Sequence, residues 1–510
     1  MTSKFAPKNL EEFGIDRRGL RAFQVALGLV VAVSALLEAR QDLALTGENG
    51  LVNADLRIRF WLDGPWLLSL PAAAAQWSGV EALIAIVTII AAAAMIGGWY
   101  PRAATLICWV LLAGTQDKAP LLNYGADHLL RLFLFWSIFL PPAGKQTPRV
   151  VSVATTALLL QAAAPYIFAG IHKWNDAWLS GAGLGMSLEM DVYTRSLAPL
   201  ARQFPGVLSL VSQATPAFEI LVGIALLLPF GDGRIRLVAV LLISIFHLGA
   251  ALLLATGIFP LVSLAGLLIF LPPRAWDQLE RRFPRVSARS EMQSAPSPQN
   301  LARAFVVLRE ITCAGLLMIA LAWNLAGFGV WEYAREQSAE WMRAHGARHG
   351  FRSPLIDSAA ATARRLGPLG TVGSAARLHQ RWDMFAVQGP SNGGWPVLEG
   401  ETVDGQRIDL LEWREAEHPA EGKRSVAWPS TRWRALITAM RPPGRQPLRC
   451  RLALTRARQW NQENPENPVA SVSFGFVGPD TRQPGRLRTR KWITLDERRL
   501  APGSSACALP

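Results

Sequence analysis

The sequence predicts an α-helical polytopic membrane domain of about eight to nine spans, followed by a small mixed α/β, β-rich extramembrane domain at the C-terminus. Three observations carry this reading. Residues 22–272 are almost continuously apolar, while the last third is dense in Arg, Glu, Pro and Trp. Charged residues make up 18% of the 510, against about 25% in an average soluble chain. The apolar stretches recur at close to the roughly 20 residues that a helix needs to cross a bilayer. Two solvents, lipid first and water second, explain the split better than one large core.

Arg17, Arg18 and Arg21 precede an apolar run from Ala22 to Leu37. This resembles the start of a signal peptide, but no small-x-small cleavage site follows Glu38, so the run reads as a retained first span. Further candidate spans are 80–99, 103–117, 128–142, 151–171, 206–229, 235–256, 258–273 and 305–328. Several are short for a perpendicular helix, which is compatible with one re-entrant segment. With a cytoplasmic N-terminus, Arg102, then Lys145 with Arg149, then Arg234 with Arg236 all fall in inside connections, as does the Arg-rich stretch after 273. The expected layout is a cytoplasmic segment (1–21), a membrane domain (22–273), a basic cytoplasmic linker (274–304), a last span (305–328) and an extracytoplasmic domain (329–510). The setting is the inner (plasma) membrane, with the lipid bilayer as first partner.

In the tail, residues 333–348 have helical character. WPVLEGETVDGQRIDL (395–410) alternates apolar and polar residues around Asp404-Gly405, a hairpin signal, and 469–477 and 491–495 are further short strands. Trp382, Trp395, Trp413, Trp433 and Trp460 are core residues or interface anchors. The net charge of +14 comes without an RNA-binding motif or finger spacing, and the bases flank spans or interleave with acids, so no nucleic-acid partner is expected. Of the four cysteines, Cys108 and Cys313 lie in apolar spans. Cys450 and Cys507 pair if the tail faces an oxidising compartment; a free thiol at Cys507 is the alternative. No GxGxxG, Walker loop, GxSxG or HExxH occurs. His345 and His349 lack an adjacent Glu and read as surface residues, and no metal is expected.

Ionisable groups at membrane depth are functional candidates, because burial without a partner costs on the order of several kcal/mol. The densest set is YIFAGIHKWNDAWLSG (166–181), where an apolar helix runs into His172 and Lys173, flanked by Trp174 and Trp178. A lysine against apolar walls has its ammonium form disfavoured, which makes the neutral amine available as a base. Equally, Lys and Trp at a span's end commonly snorkel to the interface. In DKAPLLNYGADHLLRLFLFW (117–136), Asp127 and Arg131 share a helix face and can neutralise each other as a structural pair, with His128 beside them. His247 sits mid-span, where a satisfied structural histidine is the usual explanation. Glu219 is also mid-span and needs protonation, water or a partner, with Lys173, His247 and Arg131 as the alternatives.

Taken in order, DKAPLLNYGADHLLRLFLFWSIFLPPAG, YIFAGIHKWNDAWLSG and FHLGAALLLATGIFPLVSLAGLLIFLPPRAW resemble the HTTM (horizontally transferred transmembrane domain) family, a relative of the vitamin K-dependent gamma-carboxylase. The tail segment LHQRWDMFAVQGPSNGGWPVLEGETVDGQRIDL (378–410) resembles the region after the membrane part of bacterial members. The resemblance covers about residues 15–410. In the carboxylase branch it implies a lysine base that deprotonates reduced vitamin K, followed by reaction with O₂ and carboxylation of a peptide glutamate. Lys173 occupies the place of that lysine, His247 matches a family histidine, and Tyr124 and His128 compete for another. Asp127, Arg131, His172, Trp174, Trp178 and Glu219 are then the candidates for lining a site for reduced vitamin K or menaquinol. The tail is far shorter than the carboxylase's lumenal region, and nothing matches its propeptide-binding part.

Two functions follow as expectations. One is a quinol-dependent carboxylase-like or oxidase-like enzyme, with a peptide or protein substrate on the extracytoplasmic side. The other is a non-enzymatic lipid- or quinone-binding module that presents its tail to a partner. Transport fits poorly, since the two halves show no repeat.

Overall fold

Hydrocarbon offers no partner to backbone N–H and C=O groups, so apolar stretches without interior charge fold as helices that satisfy their own ladders. The computed structural model describes residues 14–46, 79–118, 122–141, 148–188, 193–230, 233–282, 304–326, 365–380, 382–386, 395–411, 414–415, 431–440, 446–479 and 490–499. The expected helix at 333–348, the histidines 345 and 349, Trp413, Cys507 and nearly all of the 274–304 linker beyond Arg282 lie outside the described residues.

Each apolar segment picked out from the sequence is helical. The helices are α1 (Arg17–Thr46), α2 (Val80–Gly97), α3 (Pro101–Lys118), α4 (Gly125–Ile138) and α5 (Val153–His172). Short helices α6 (Asp176–Leu179) and α7 (Gly183–Leu188) and a single helical turn at Ala198–Ala201 precede α8 (Pro205–Leu227), α9 (Arg234–Leu253), α10 (Phe259–Leu267), α11 (Pro273–Arg282) and α12 (Ala304–Ala326). Six of them are long and apolar enough to cross a membrane; a seventh is added if α10 with its 3₁₀ extension and α11, bent by 101°, form one broken span. Helix α4 has only 14 residues, and nearly every side chain from Ala126 to Ser137 is buried. It is shielded by its neighbours rather than by lipid, which explains both its shortness and its need to find partners for Asp127 and Arg131.

One end of the bundle is stitched by arginines. Arg18 binds Asp16 at 2.9 Å and reaches Asp277 and Glu280 of α11, both at 2.8 Å. Arg21 donates to the carbonyls of Met95 and Ile96, and Arg102 donates to the Leu140 carbonyl at 2.8 Å. Cations at helix C-termini satisfy orphan carbonyls and oppose the helix dipole. A short antiparallel pair, β1 (Ile15–Asp16) with β2 (Arg149–Val150), closes the same end.

At the opposite end lies the tail. Helix α13 (Pro368–Ala375) leads into a strap, residues 377–380 and 382–386, that lies on the helix ends. Beyond it, β3 (Trp395–Thr402), β4 (Arg407–Asp409), β5 (Arg414–Glu415), β6 (Val469–Pro479) and β7 (Arg490–Arg499) form an antiparallel sheet in the order β5-β4-β3-β6-β7. The predicted hairpin is present: β3 and β4 pair with Glu399 opposite Asp409, and Gly405 takes φ 84° in the turn. Helices α14 (Thr431–Met440) and α15 (Gln446–Glu463) also belong to the tail.

Candidate functional site

The site starts from a helix seam. A side chain at Gly170 of α5 would lie 2.7 Å from the Pro216 carbonyl of α8, and one at Gly223 would lie 2.7 Å from Ile167. Two hydrogens in place of side chains let α5 and α8 approach backbone to backbone, as small residues do in membrane bundles. This seam brings the end of α5 beside the middle of α8. Lys173 caps α5 by donating its backbone N–H to Ala169, and Asn175 fixes the turn by donating to the His172 carbonyl while accepting from Ala177 and Trp178.

So held, the Lys173 side chain turns inward. Its Nζ donates to Glu219 Oε1 at 3.0 Å and Oε2 at 2.8 Å, with both residues 4% exposed. The Trp178 ring lies beneath it, 5.5 Å from Nζ to the centroid. The sequence alone allowed Lys173 to snorkel to headgroups and left Glu219 with three alternative partners; the geometry selects the buried Lys173–Glu219 pair. Trp174, by contrast, is 58% exposed and does not line this site, whereas His172 is buried at the helix end.

A second polar pair lies further along α5. Tyr166, two turns before Lys173 on α5, has its hydroxyl 2.9 Å from His247 Nε2 on α9. Phe246 and Phe259 pack edge-on or tilted against the His247 ring, and Phe218 against Phe246. Glu219 is within electrostatic reach of the Tyr166 phenol, which makes the two pairs neighbours. Together they offer a shared proton at Lys173–Glu219 and another at Tyr166–His247, among aromatic walls.

Asp127, His128 and Arg131 belong to a different cluster, and it is built with the tail. Arg131 donates to Gln116 Oε1 at 2.6 Å and to the carbonyls of Arg377 and His379 at 3.2 and 3.1 Å. Its guanidinium also faces His128 Nδ1 at 3.2 Å and His379 Nε2 at 3.1 Å. A guanidinium only donates, so both ring nitrogens must present lone pairs. Burial and the cationic Arg131 hold His379 well below the usual histidine range. Asp127 and Arg131 attract each other electrostatically, as their spacing predicts, but share no direct hydrogen bond. Asp127 accepts from the backbone of Tyr124 at 3.0 Å and from Arg432 of α14 at 3.2 Å, and Arg432 also binds Glu38 of α1. Sharing a helix face set these two side chains side by side, but the tail supplied better-placed partners. Arg377 binds Asp117 at the end of α3, and Gln161 and Gln380 hydrogen-bond at 2.7 Å.

Residues 134–276 match the HTTM domain. The match spans Tyr166, Lys173, Glu219 and His247 and stops short of Asp127, His128 and Arg131. The matched stretch therefore contains both the Lys173–Glu219 and the Tyr166–His247 pairs, while the arginine cluster lies between it and the tail. Together with the apolar helices, the HTTM match fits a multi-pass membrane protein. No curated protein and no solved structure matches the chain.

Sequence reasoning missed Tyr166 as the partner of His247, and it missed Arg377, His379, Gln380 and Arg432, because it treated the tail as a separate soluble body. The signal was present in LHQRWDM, which carries two buried polar residues and a buried Trp382 in succession. Among the described residues there is no group of three or more His, Cys, Asp or Glu that could hold a metal ion.

Proposed function

We propose that this protein is a quinol-dependent membrane enzyme, carboxylase-like or oxidase-like, in which Lys173 is the base and Glu219 its proton partner. The bidentate Lys173–Glu219 pair at membrane depth carries the reading. A buried ion pair adds little stability over an apolar isostere of the same volume, so its presence in an apolar seam suits a task that moves protons. With Trp178 on Lys173 and the Tyr166 phenol within electrostatic reach of Glu219, the pair suits a planar phenolic ligand. Reduced vitamin K or menaquinol would supply, when bound, a weakly acidic hydroxyl and reducing electrons. Proton transfer from Nζ to the Glu219 carboxylate within the pair leaves a neutral amine, Nζ then takes up the quinol proton, and Tyr166 and His247 orient the ring by hydrogen bonding. His128 is reassigned in this reading from a catalytic to a structural role, as an acceptor for Arg131.

The same reading has about nine crossings, with α3 and α4 included, at the inner membrane. The arginine-stitched end faces the cytoplasm, in keeping with the positive-inside rule. The tail then faces outward, where Cys450, which is disulfide-bonded, is in a compartment that permits it. A peptide or protein acceptor would meet the enzyme on that side.

The test is product formation from reduced vitamin K or menaquinol by purified protein in nanodiscs. Turnover in the wild type and its loss in Lys173→Ala supports the reading; equal turnover in both removes Lys173 from the mechanism. The non-enzymatic alternative, a quinone- or lipid-binding module, is favoured by the engagement of Lys173 Nζ with both carboxylate oxygens of Glu219. It predicts binding of the quinol without turnover.

A further inference from the structure

The strap reaches Lys173 through one tryptophan. Trp178 is 3% exposed, and its indole N–H donates to the Phe385 carbonyl at 3.0 Å. The same ring carries Lys173 on its face, 5.5 Å from centroid to Nζ. Its other contacts hold it edge and plane: a Cβ at Gly183 would lie 2.5 Å from the ring. Phe385 itself meets Tyr193 edge to face, with ring centroids 5.9 Å apart, and Met384 lies against Gly125.

The strap is also held in a costly conformation. Arg377 and Phe385, at its two ends, have φ of 54° and 55°, the left-handed region that non-glycine residues rarely adopt. Such backbone persists where surrounding contacts over-determine it. Here those contacts are the Arg377–Asp117 ion pair, the Arg131 bonds to the Arg377 and His379 carbonyls, the Gln161–Gln380 bond and the Trp382–Gln380 bond at 3.0 Å.

We propose that Trp178 is a positioning residue for Lys173 and that the tail strap sets it, so that the lysine site is complete only with the tail docked. The Phe385 carbonyl fixes the indole, the indole face fixes the ammonium against Glu219, and the Arg377 anchor keeps the carbonyl in place. The extramembrane tail is in this way a part of the site that the HTTM domain contains. The catalytic meaning of the inference rests on the role proposed for Lys173, but its geometry does not.

The experiment reads Lys173 directly. Full-length protein in nanodiscs is reductively methylated with formaldehyde and cyanoborohydride across a pH series, and the peptide containing Lys173 is quantified by mass spectrometry. Trp178→Phe, which keeps an aromatic ring but removes the N–H, and Arg377→Ala, which frees the strap, should each speed methylation of Lys173 by roughly fivefold. Each should also move the pH midpoint of labelling, while the thermal unfolding midpoint of Trp178→Phe stays near wild type. Wild-type labelling rate and midpoint in either variant overturn the inference. Should Arg377→Ala not fold, Trp382→Phe, which removes the donor to Gln380, takes its place. Unchanged labelling alongside lost turnover in Lys173→Ala fails this inference alone; faster labelling without any quinol turnover in the wild type fails only the proposed reaction.

Discussion

The Nζ of Lys173 is bonded to both carboxylate oxygens of Glu219, and the two residues come from helices whose backbones meet at Gly170 and Gly223. Removing one member leaves a buried group uncompensated, which costs about 3–5 kcal/mol, whereas removing both is far milder. Thermal unfolding in nanodiscs should therefore show large losses in Lys173→Met and Glu219→Gln. The double variant should be more stable than the sum of the two predicts. Strict additivity would mean that the pair is not coupled.

The seam itself is testable. Gly170→Leu drives a side chain into the Pro216 carbonyl and Ile220, and overpacking of this kind costs roughly 1–3 kcal/mol or more. Gly249→Ala on α9 meets nothing within 4 Å and should be neutral or slightly stabilising, since Ala is the better helix former. Equal unfolding midpoints for the two variants would refute the close approach of α5 and α8.

Arg432 joins the tail to two carboxylates of the bundle, Glu38 and Asp127. Arg432→Ala leaves both acids buried without that partner, at a cost of about 3–5 kcal/mol to docking. Limited proteolysis should release the tail at much lower protease concentration than in the wild type. Identical digestion curves would show that the ion pairs do not hold the tail.

Docking should also weaken in acid. His379 is held well below the usual histidine range by burial and by Arg131, His128 and Arg377. The released histidine binds a proton near pH 6.5 and the docked one does not, so the undocked state binds more protons below that pH. Stability attributable to His379 is intact above about pH 6.5 and falls by up to about 1.4 kcal/mol per unit below it. Proteolytic release of the tail at pH 5.5 relative to 7.5 should be enhanced in the wild type, and less so in His379→Gln. A His379→Gln profile that matches wild type would place the acid response elsewhere.

The spans were legible because apolar length is a direct demand of the bilayer, and the hairpin at Asp404-Gly405 because its turn requires a left-handed residue. Lys173, Glu219 and His247 were legible as exceptions, being charged or titratable within apolar runs. Their pairing was not, since it depends on which helices become neighbours. Gly170 and Gly223 decide that, and a glycine in an apolar helix signals close approach without naming the partner. Arg377 and Arg432 were least visible, because arginines in a polar tail look like solvated surface until a buried carboxylate 260 residues upstream in one case, or 305 in the other, claims them.

In the proposed quinol-dependent reaction Lys173 accepts a proton, and chemical rescue tests that role most directly. Quinol-dependent O₂ consumption by Lys173→Ala in nanodiscs is measured with and without a series of small primary amines. The proposed role predicts activity in the wild type, loss in the variant, and partial recovery that grows with amine basicity. Undiminished O₂ consumption in Lys173→Ala without added amine would contradict it.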